Sequence, residues 1–135
     1  MHGAISNQGR RAAAAVPSSV RDYTFAASTA TYTPLVGGIN STATGDDGTQ
    51  TSIPLGFPFT YNAQSFTTFG ISTNGTIQLG TSATSFSNSL STNTNVIAPF
   101  WDDNNRSTGT ISYLVTGVAP NRVLTVDWNA ISVSG

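Results

Sequence analysis

The sequence predicts an all-β fold, an antiparallel β-sandwich, and three observations support this prediction. Short apolar stretches recur roughly 8–15 residues apart, with turn-forming residues between them. Beyond residue 20 the apolar positions follow no helical period. Only 8% of the residues are charged, with no Lys and no Glu, and Thr, which favours strands, is frequent.

Residues 1–19 are predicted to form a flexible N-terminal arm, and residues 20–135 the β-sandwich domain. The arm contains Arg10–Arg11 and then Ala12–Val16, an apolar run too short for the core of a signal peptide. Pro17 would end any helical turn there. The chain has no Cys, which excludes disulfides, and no apolar run approaches the ~18 residues that a membrane span needs.

The first half of the domain offers two short strand candidates, Val20–Phe25 and Ala30–Leu35. The stretch Asn40–Gln50 that follows consists of turn-forming residues, with a tight turn expected at Asp47–Gly48. Phe25, at the end of the first candidate, is expected to contribute to the core.

The clearest strand is Ile53–Phe59, sequence IPLGFPF. Its large apolar residues alternate with Pro54, Gly56 and Pro58, which places all of the apolar side chains on one face. Proline cannot donate a hydrogen bond to a sheet, so this pattern predicts an edge strand or a bulged strand with one face in the core.

Two hairpins are predicted further along the chain. The first joins Ser65–Ser72 to Thr76–Leu79 through Thr73-Asn74-Gly75, since Asn-Gly between strand-like runs favours a tight turn. The second joins Gly109–Thr116 to Arg122–Trp128. Between the hairpins lie a polar loop, residues 80–95, and Val96–Trp101, which we expect to be a buried strand.

Taken together, these patterns predict a core between two sheets. Its members are expected to be Phe25, Ile53, Leu55, Phe57, Phe59, Phe66, Phe69, Ile71, Ile77, Leu79, Ile97, Phe100, Trp101, Ile111, Tyr113, Leu124, Val126 and Trp128.

Two segments carry a family resemblance. Residues 53–80 read IPLGFPFTYNAQSFTTFGISTNGTIQLG, and residues 96–115 read VIAPFWDDNNRSTGTISYLV. In this order and spacing they resemble the nidogen-like (NIDO-type) module found near the N-termini of secreted and surface proteins of Bacteroidetes-type bacteria. The resemblance covers about residues 22–133, and its most specific parts are Ser72–Gly80 and Ile97–Asp103.

The resemblance implies an extracellular β-sandwich used in adhesion or matrix assembly, and it brings no catalytic residues with it. Such modules usually continue for further strands beyond the one that holds Trp128. An incomplete sandwich is therefore part of the expectation.

Metal binding is the chemistry that the segment after Val96–Trp101 suggests. Asp102, Asp103, Asn104 and Asn105 supply the carboxylate and amide oxygens that Ca²⁺ accepts in loops. The pair Asp46–Asp47 is a second, separate candidate. The alternative interpretation of both groups is turn capping, because Asp and Asn bond their own backbone where a strand ends.

Catalysis finds little support in the sequence. The only His is His2, in the predicted arm, and the chain has neither Cys nor Lys to act as nucleophile. Asp102 and Asp103 are adjacent, so on extended backbone they point to opposite faces rather than toward each other. We therefore predict no catalytic residues and no cofactor, with Ca²⁺ as the one open alternative.

Two further patterns have structural alternatives. Phe100, Trp101 and Trp128 could form a stacking platform for sugars, or they could simply be core aromatics. Asn-x-Ser/Thr acceptor patterns for N-glycosylation begin at Asn40, Asn74 and Asn105, but chance matches are expected in so polar a chain.

The function predicted from the sequence is a non-catalytic structural or adhesion module of a secreted or cell-surface protein. Its partners would be other protein subunits or surface glycans. The alternative is a filament subunit completed by strand exchange between neighbours. The spare arm favours it, and so does the charged fraction of only 8%, because few charges mean little repulsion between subunits. A carbohydrate-binding or glycoside-hydrolysing domain is a more distant alternative. We expect neither binding to nucleic acid nor insertion into a membrane.

Overall fold

The computed structural model describes residues 17–84, 86–87, 91 and 93–133, and within them it has ten strands. All of their pairings are antiparallel. In chain order the strands are β1 (Ile39–Asn40), β2 (Gly45–Asp46), β3 (Thr49–Tyr61), β4 (Gln64–Ser72), β5 (Thr76–Leu79), β6 (Val96–Ile97), β7 (Asn104–Arg106), β8 (Thr110–Thr116), β9 (Val123–Asn129) and β10 (Ser132–Val133).

The strands form three sheets, and the predicted all-β sandwich is confirmed. The largest sheet has the order β3-β4-β5-β6, and a three-stranded sheet has the order β1-β8-β9. A small third sheet, β10-β7-β2, joins segments from three parts of the chain. Phe69 on β4 meets Tyr113 on β8 edge to face, with ring centroids 5.6 Å apart, so the core lies between the two larger sheets.

Most of the predicted core residues lie in this interior. Seven apolar residues are fully buried: Ala43, Ile53, Leu55, Phe69, Ile71, Leu79 and Ile111. Further predicted members pack against them while partly exposed, namely Phe66, Ile77, Tyr113, Leu124, Val126 and Trp128. Alternation along correctly placed strands therefore identified most of the core, with Phe59 on β3 as an exception.

Strand β3 is an edge strand, as its prolines predicted. Pro54 and Pro58 are exposed, and the register against β4 shifts twice along the strand. Ser52 and Gly56 have positive φ values of 56° and 74°, which mark the irregular positions. Ile53 and Leu55 nevertheless point inward and are buried.

Both predicted hairpins are present. Ser72 pairs with Thr76 across the three-residue loop 73–75, and β8 pairs with β9 along its whole length. A third tight turn connects β3 to β4, where Asn62 and Ala63 both have positive φ, as a type I′ turn requires.

The strand predicted over Val20–Phe25 is wrong. Ser19 caps a short 3-10 helix, Val20–Asp22, and the Asp22 carboxylate accepts hydrogen bonds from the backbone N–H groups of Ser18 and Ser19. The capping hydrogen bonds of Ser19 and Asp22 favour this helix over the strand that the weak alternation of apolar and polar residues predicted. Phe25 consequently lies outside the sandwich and is 90% exposed rather than in the core.

Ala30–Leu35 is likewise not a strand. The segment is held to the sheet by the Asp127 carboxylate on β9, which accepts hydrogen bonds from the Tyr32 hydroxyl at 2.9 Å and from the Leu35 backbone N–H at 3.0 Å. A side chain thus supplies the partner that a neighbouring strand would otherwise provide.

The buried strand predicted over Val96–Trp101 is shorter and more exposed than expected. Only Val96–Ile97 pairs with β5, because Pro99 cannot donate to a ladder and the chain then turns away. Of the apolar residues predicted to be buried, Ile97 and Phe100 are instead exposed at the surface, as is Phe59 on the edge strand. Trp101 is partly buried.

Most of the predicted arm falls outside the described residues, since residues 1–16 are not among them. The boundary between arm and domain therefore stays a prediction.

Candidate functional site

The loop that joins β4 to β5 depends on Gly75. This residue has φ +76°, and a Cβ added to it would lie 2.6 Å from the carbonyl oxygen of Phe100. A glycine is needed here both for the turn and for the close approach of the segment after β6. The STNG motif and the FWDDNN motif are therefore in direct contact.

Asn74 connects three segments through its fully buried side chain. Its Nδ2 donates to Asp47 Oδ1 at 2.9 Å, and its Oδ1 accepts from the Asn104 backbone N–H at 2.8 Å. Its backbone carbonyl accepts from the Asp102 N–H at 3.3 Å. The sequence suggested that Asn74 served only the turn, but its side chain organises the whole region.

Three carboxylates meet beside this residue. Oxygens of Asp46, Asp47 and Asp103 lie within 4.8 Å of one another on the protein surface. The pairing of β2 with β7 brings them together, with Asp46 directly opposite Asn105. Desolvation, and then the negative charges of Asp46, Asp47 and Asp102, raise the pKa of Asp103 above its ordinary value.

Neutral side-chain oxygens that have no hydrogen-bond partner among the described residues lie in the same region. Asn104 is fully buried, and its Nδ2 donates to the carbonyls of Phe100 and Asp102 while its Oδ1 has no partner. Asn105 Oδ1 is also buried and unpartnered, as is Thr73 Oγ1 in the loop next to Asn74. Buried polar atoms are normally satisfied, so a group of three calls for an explanation.

The structure thus merges two candidate groups that the sequence treated as separate. Asp103, Asn104 and Asn105 lie beside Asp46–Asp47 because β2 and β7 are neighbours. Asp102 behaves differently, since its Oδ1 accepts a hydrogen bond from the Asp103 N–H at 2.9 Å, as in a turn cap. No short-range sequence signal could pair two segments almost sixty residues apart.

The aromatic residues considered as a sugar platform are partly engaged in packing. Phe100 meets Trp128 edge to face, with centroids 5.5 Å apart and planes at 85°. The indole N–H of Trp128 donates to the Ser72 carbonyl at 3.0 Å. This geometry ties β9 to the end of β4, and the two rings do not share one flat face.

The three glycosylation patterns differ in their surroundings. Asn40 is exposed on β1, whereas Asn74 is fully buried and Asn105 Oδ1 is buried. The Asn74 side chain is therefore inaccessible to modification, whereas the Asn40 side chain is accessible.

A second surface feature is an apolar groove of about 300 Å³ between the two larger sheets. Its walls include Leu55, Phe57, Ile77, Leu79, Ile97 and Leu124. Arg122 and Val123 line it at the start of β9. In the described part of the chain β9 is a sheet edge, with β8 as its neighbour on one side.

Comparison with family models identifies the family of this chain. The family model described as NIDO related matches residues 22–135, which covers the whole sandwich and the candidate site. No curated protein matches the chain, and no solved structure does. Within the described residues no helix has the length and apolar character needed to cross a membrane.

Proposed function

The chain belongs to the NIDO-related family, and we propose that it is a structural or adhesion module of a secreted or cell-surface protein that binds its partner without catalysis. Family membership across residues 22–135 carries this proposal, because it indicates an extracellular module of a non-enzymatic family. The all-β fold is compatible with it.

The exposed segment 17–38 supports a binding role. It contains large apolar side chains that face solvent, with Phe25 90% exposed and Val36 85% exposed. The segment is attached to the domain through Tyr23, Tyr32 and Leu35, so these attachments do not use Phe25 or Val36. Exposed aromatic and aliphatic residues on a nearly uncharged surface suit contact with another protein subunit or with a surface glycan.

The proposal is tested by measuring binding of the purified chain to arrays of surface glycans and of extracellular proteins. Saturable binding to at least one member is expected, and Phe25→Ser is expected to weaken it. Phe86→Ser is the matched control, since Phe86 is also exposed but lies in a different loop. If the chain binds no member of the arrays, the adhesion role is contradicted. If Phe25→Ser and Phe86→Ser weaken binding equally, the adhesion role stands, but segment 17–38 is not the contact surface.

A self-assembling filament subunit is the second candidate, and the groove beside β9 favours it. A strand from a second copy that pairs with the free edge of β9 would extend this sheet and cover the apolar side chains of the groove. Residues 1–19 are the segment that we propose as the donor.

Light scattering coupled to size exclusion, with electron microscopy of the same sample, tests this second candidate. Filaments or oligomers that disappear on deletion of residues 1–19 are the expected result. A monomer at all concentrations, with stability unchanged by the deletion, would exclude strand exchange.

A further inference from the structure

The apolar groove between the two larger sheets has the character of a ligand site. Strands β3, β5 and β6 of the larger sheet and the start of β9 form its walls, and its volume is about 300 Å³. Three of the large apolar side chains that line it are substantially exposed, namely Phe59 at 37%, Ile97 at 36% and Val123 at 55%. Exposed apolar side chains around a concave surface of this size are typical of sites that bind small molecules.

Arg122 is the one charged residue in the lining of the groove, and its guanidinium is largely unused. Within the described part of the chain it makes one hydrogen bond, of 3.4 Å, to the Gly56 carbonyl, and no salt bridge. A guanidinium has five N–H donors. Arg106, by contrast, donates to three backbone carbonyls. An anion at the groove would therefore meet a positive group whose donors are still available.

The position of Arg122 places this charge at the mouth of the groove rather than at its floor. The residue is exposed and immediately precedes β9. It also lines a second cavity of about 230 Å³, which shares Phe57 with the groove. The groove thus combines apolar walls with one cation at their border, and a complementary ligand has an apolar chain and a single anionic group.

We propose that the groove binds an anionic amphiphile of the fatty-acid class, with its carboxylate at Arg122 and its acyl chain along the apolar walls. The planar guanidinium matches a carboxylate, which it can bind through two parallel hydrogen bonds. An acyl chain needs no hydrogen-bond partner, and the side chains of Leu55, Leu79 and Leu124 offer none. A methylene group takes up about as much space as a water molecule, ~30 Å³, so the groove has room for a chain of roughly ten carbon atoms.

A strand from a second copy, the occupant in the filament candidate, matches the lining of this groove less completely. Such a strand would follow the edge of β9, whereas only the first two residues of β9, Val123 and Leu124, line the groove. Most of the lining belongs to the larger sheet. Binding of an amphiphile goes beyond the proposed function, because the module can carry this ligand whichever protein or glycan it contacts.

Isothermal titration of the purified chain with decanoate, octanoate and the uncharged decan-1-ol tests the proposal. Decanoate should bind at one site with a Kd of about 10⁻⁵ to 10⁻⁴ M, as expected for a ligand of about a dozen non-hydrogen atoms. Octanoate should bind about tenfold more weakly, because it buries two methylene groups fewer. Decan-1-ol should bind about fivefold more weakly than decanoate, since it forms no ion pair.

Two variants separate recognition of the head group from recognition of the chain. Arg122→Gln should weaken decanoate binding about fivefold and leave decan-1-ol binding unchanged, because it removes only the ion pair. Ile97→Ser should weaken the binding of both ligands about fivefold, because it removes apolar surface from the wall. Arg21→Gln and Val118→Ser are the matched controls. Both of these residues are exposed and lie outside the groove lining, so both variants should bind normally.

The proposal is overturned if the folded chain gives no heat of binding with decanoate up to about 1 mM. It is equally overturned if decan-1-ol binds as tightly as decanoate and Arg122→Gln changes neither Kd, since the groove then recognises apolar surface alone. Decanoate binding that appears only after deletion of residues 1–19 also overturns it. In that case a strand fills the groove, as the filament candidate requires.

Discussion

Replacing Asn74 with Ala is expected to destabilise the whole domain, although the residue lies in a loop. The side chain is fully buried, and it holds Asp47 with its amide group and the Asn104 backbone with its carbonyl oxygen. Truncation to Ala removes both hydrogen bonds at once while leaving the backbone of the loop unchanged. It therefore tests whether this side chain joins the two family motifs.

The size of the effect follows from the two bonds. The Asn104 N–H belongs to a fully buried residue and would lose its acceptor, which costs about 2 kcal/mol. The bond to the exposed Asp47 carboxylate adds about 1 kcal/mol. The free energy of unfolding should thus fall by about 3 kcal/mol, a large part of the stability of a domain of this size.

Urea unfolding followed by tryptophan fluorescence measures this loss, with Asn40→Ala as the matched control. Asn40 is an exposed asparagine on β1, and its substitution should change stability by less than about 0.5 kcal/mol. Asn74→Asp keeps the acceptor for Asn104 but places a second carboxylate against that of Asp47, so it should also be destabilising. A loss below about 1 kcal/mol for Asn74→Ala would refute the idea that this residue organises the region.

Three further predictions concern other parts of the fold. Gly75→Ala should destabilise by about 2 kcal/mol in the same urea assay, because φ is +76° and the new Cβ would meet the Phe100 carbonyl; an unchanged midpoint would contradict this. Asp127→Ala should speed hydrogen exchange at the Leu35 amide about tenfold, since the amide loses its acceptor, and unchanged protection would argue against the attachment. Asp22 should show a pKa below 3.8 by NMR titration, because the backbone N–H of Ser18 donates to its carboxylate. The stability that the Asp22 carboxylate gives to the 3-10 turn is then fully present above the pKa of Asp22 in the unfolded chain. It is lost as the pH falls through the lower pKa of Asp22 in the folded chain.

The sequence predicted the central strands well because their patterns are local. Ile53–Phe59 alternates over seven residues, and its prolines correctly indicated an edge strand. The turn at residues 73–75 was predicted equally well, because Asn-Gly between two strand-like runs strongly favours a tight hairpin turn. In both cases the information needed lies within about ten residues of sequence.

The strand predictions failed where the hydrogen-bond partner of a segment lies far away in the sequence. They also failed where a helix-capping side chain competes with the alternation of apolar and polar residues. Val20–Phe25 looked like a strand, but Ser19 and Asp22 close a 3-10 turn instead. Val96–Trp101 looked buried from its composition, yet only its first two residues find a strand partner. The pairing of β2 with β7 depends on the folded topology, so the sequence offered two separate acidic candidates rather than one combined site.

The most direct test of the proposed function is to locate the protein on the cells that produce it. Antibodies raised against the purified chain should label intact cells or detect the protein in the medium, and added protease should remove the surface signal. A cytosolic protein serves as the control and should stay protected. If the protein is recovered only inside intact cells together with that control, the assignment as an extracellular module is contradicted.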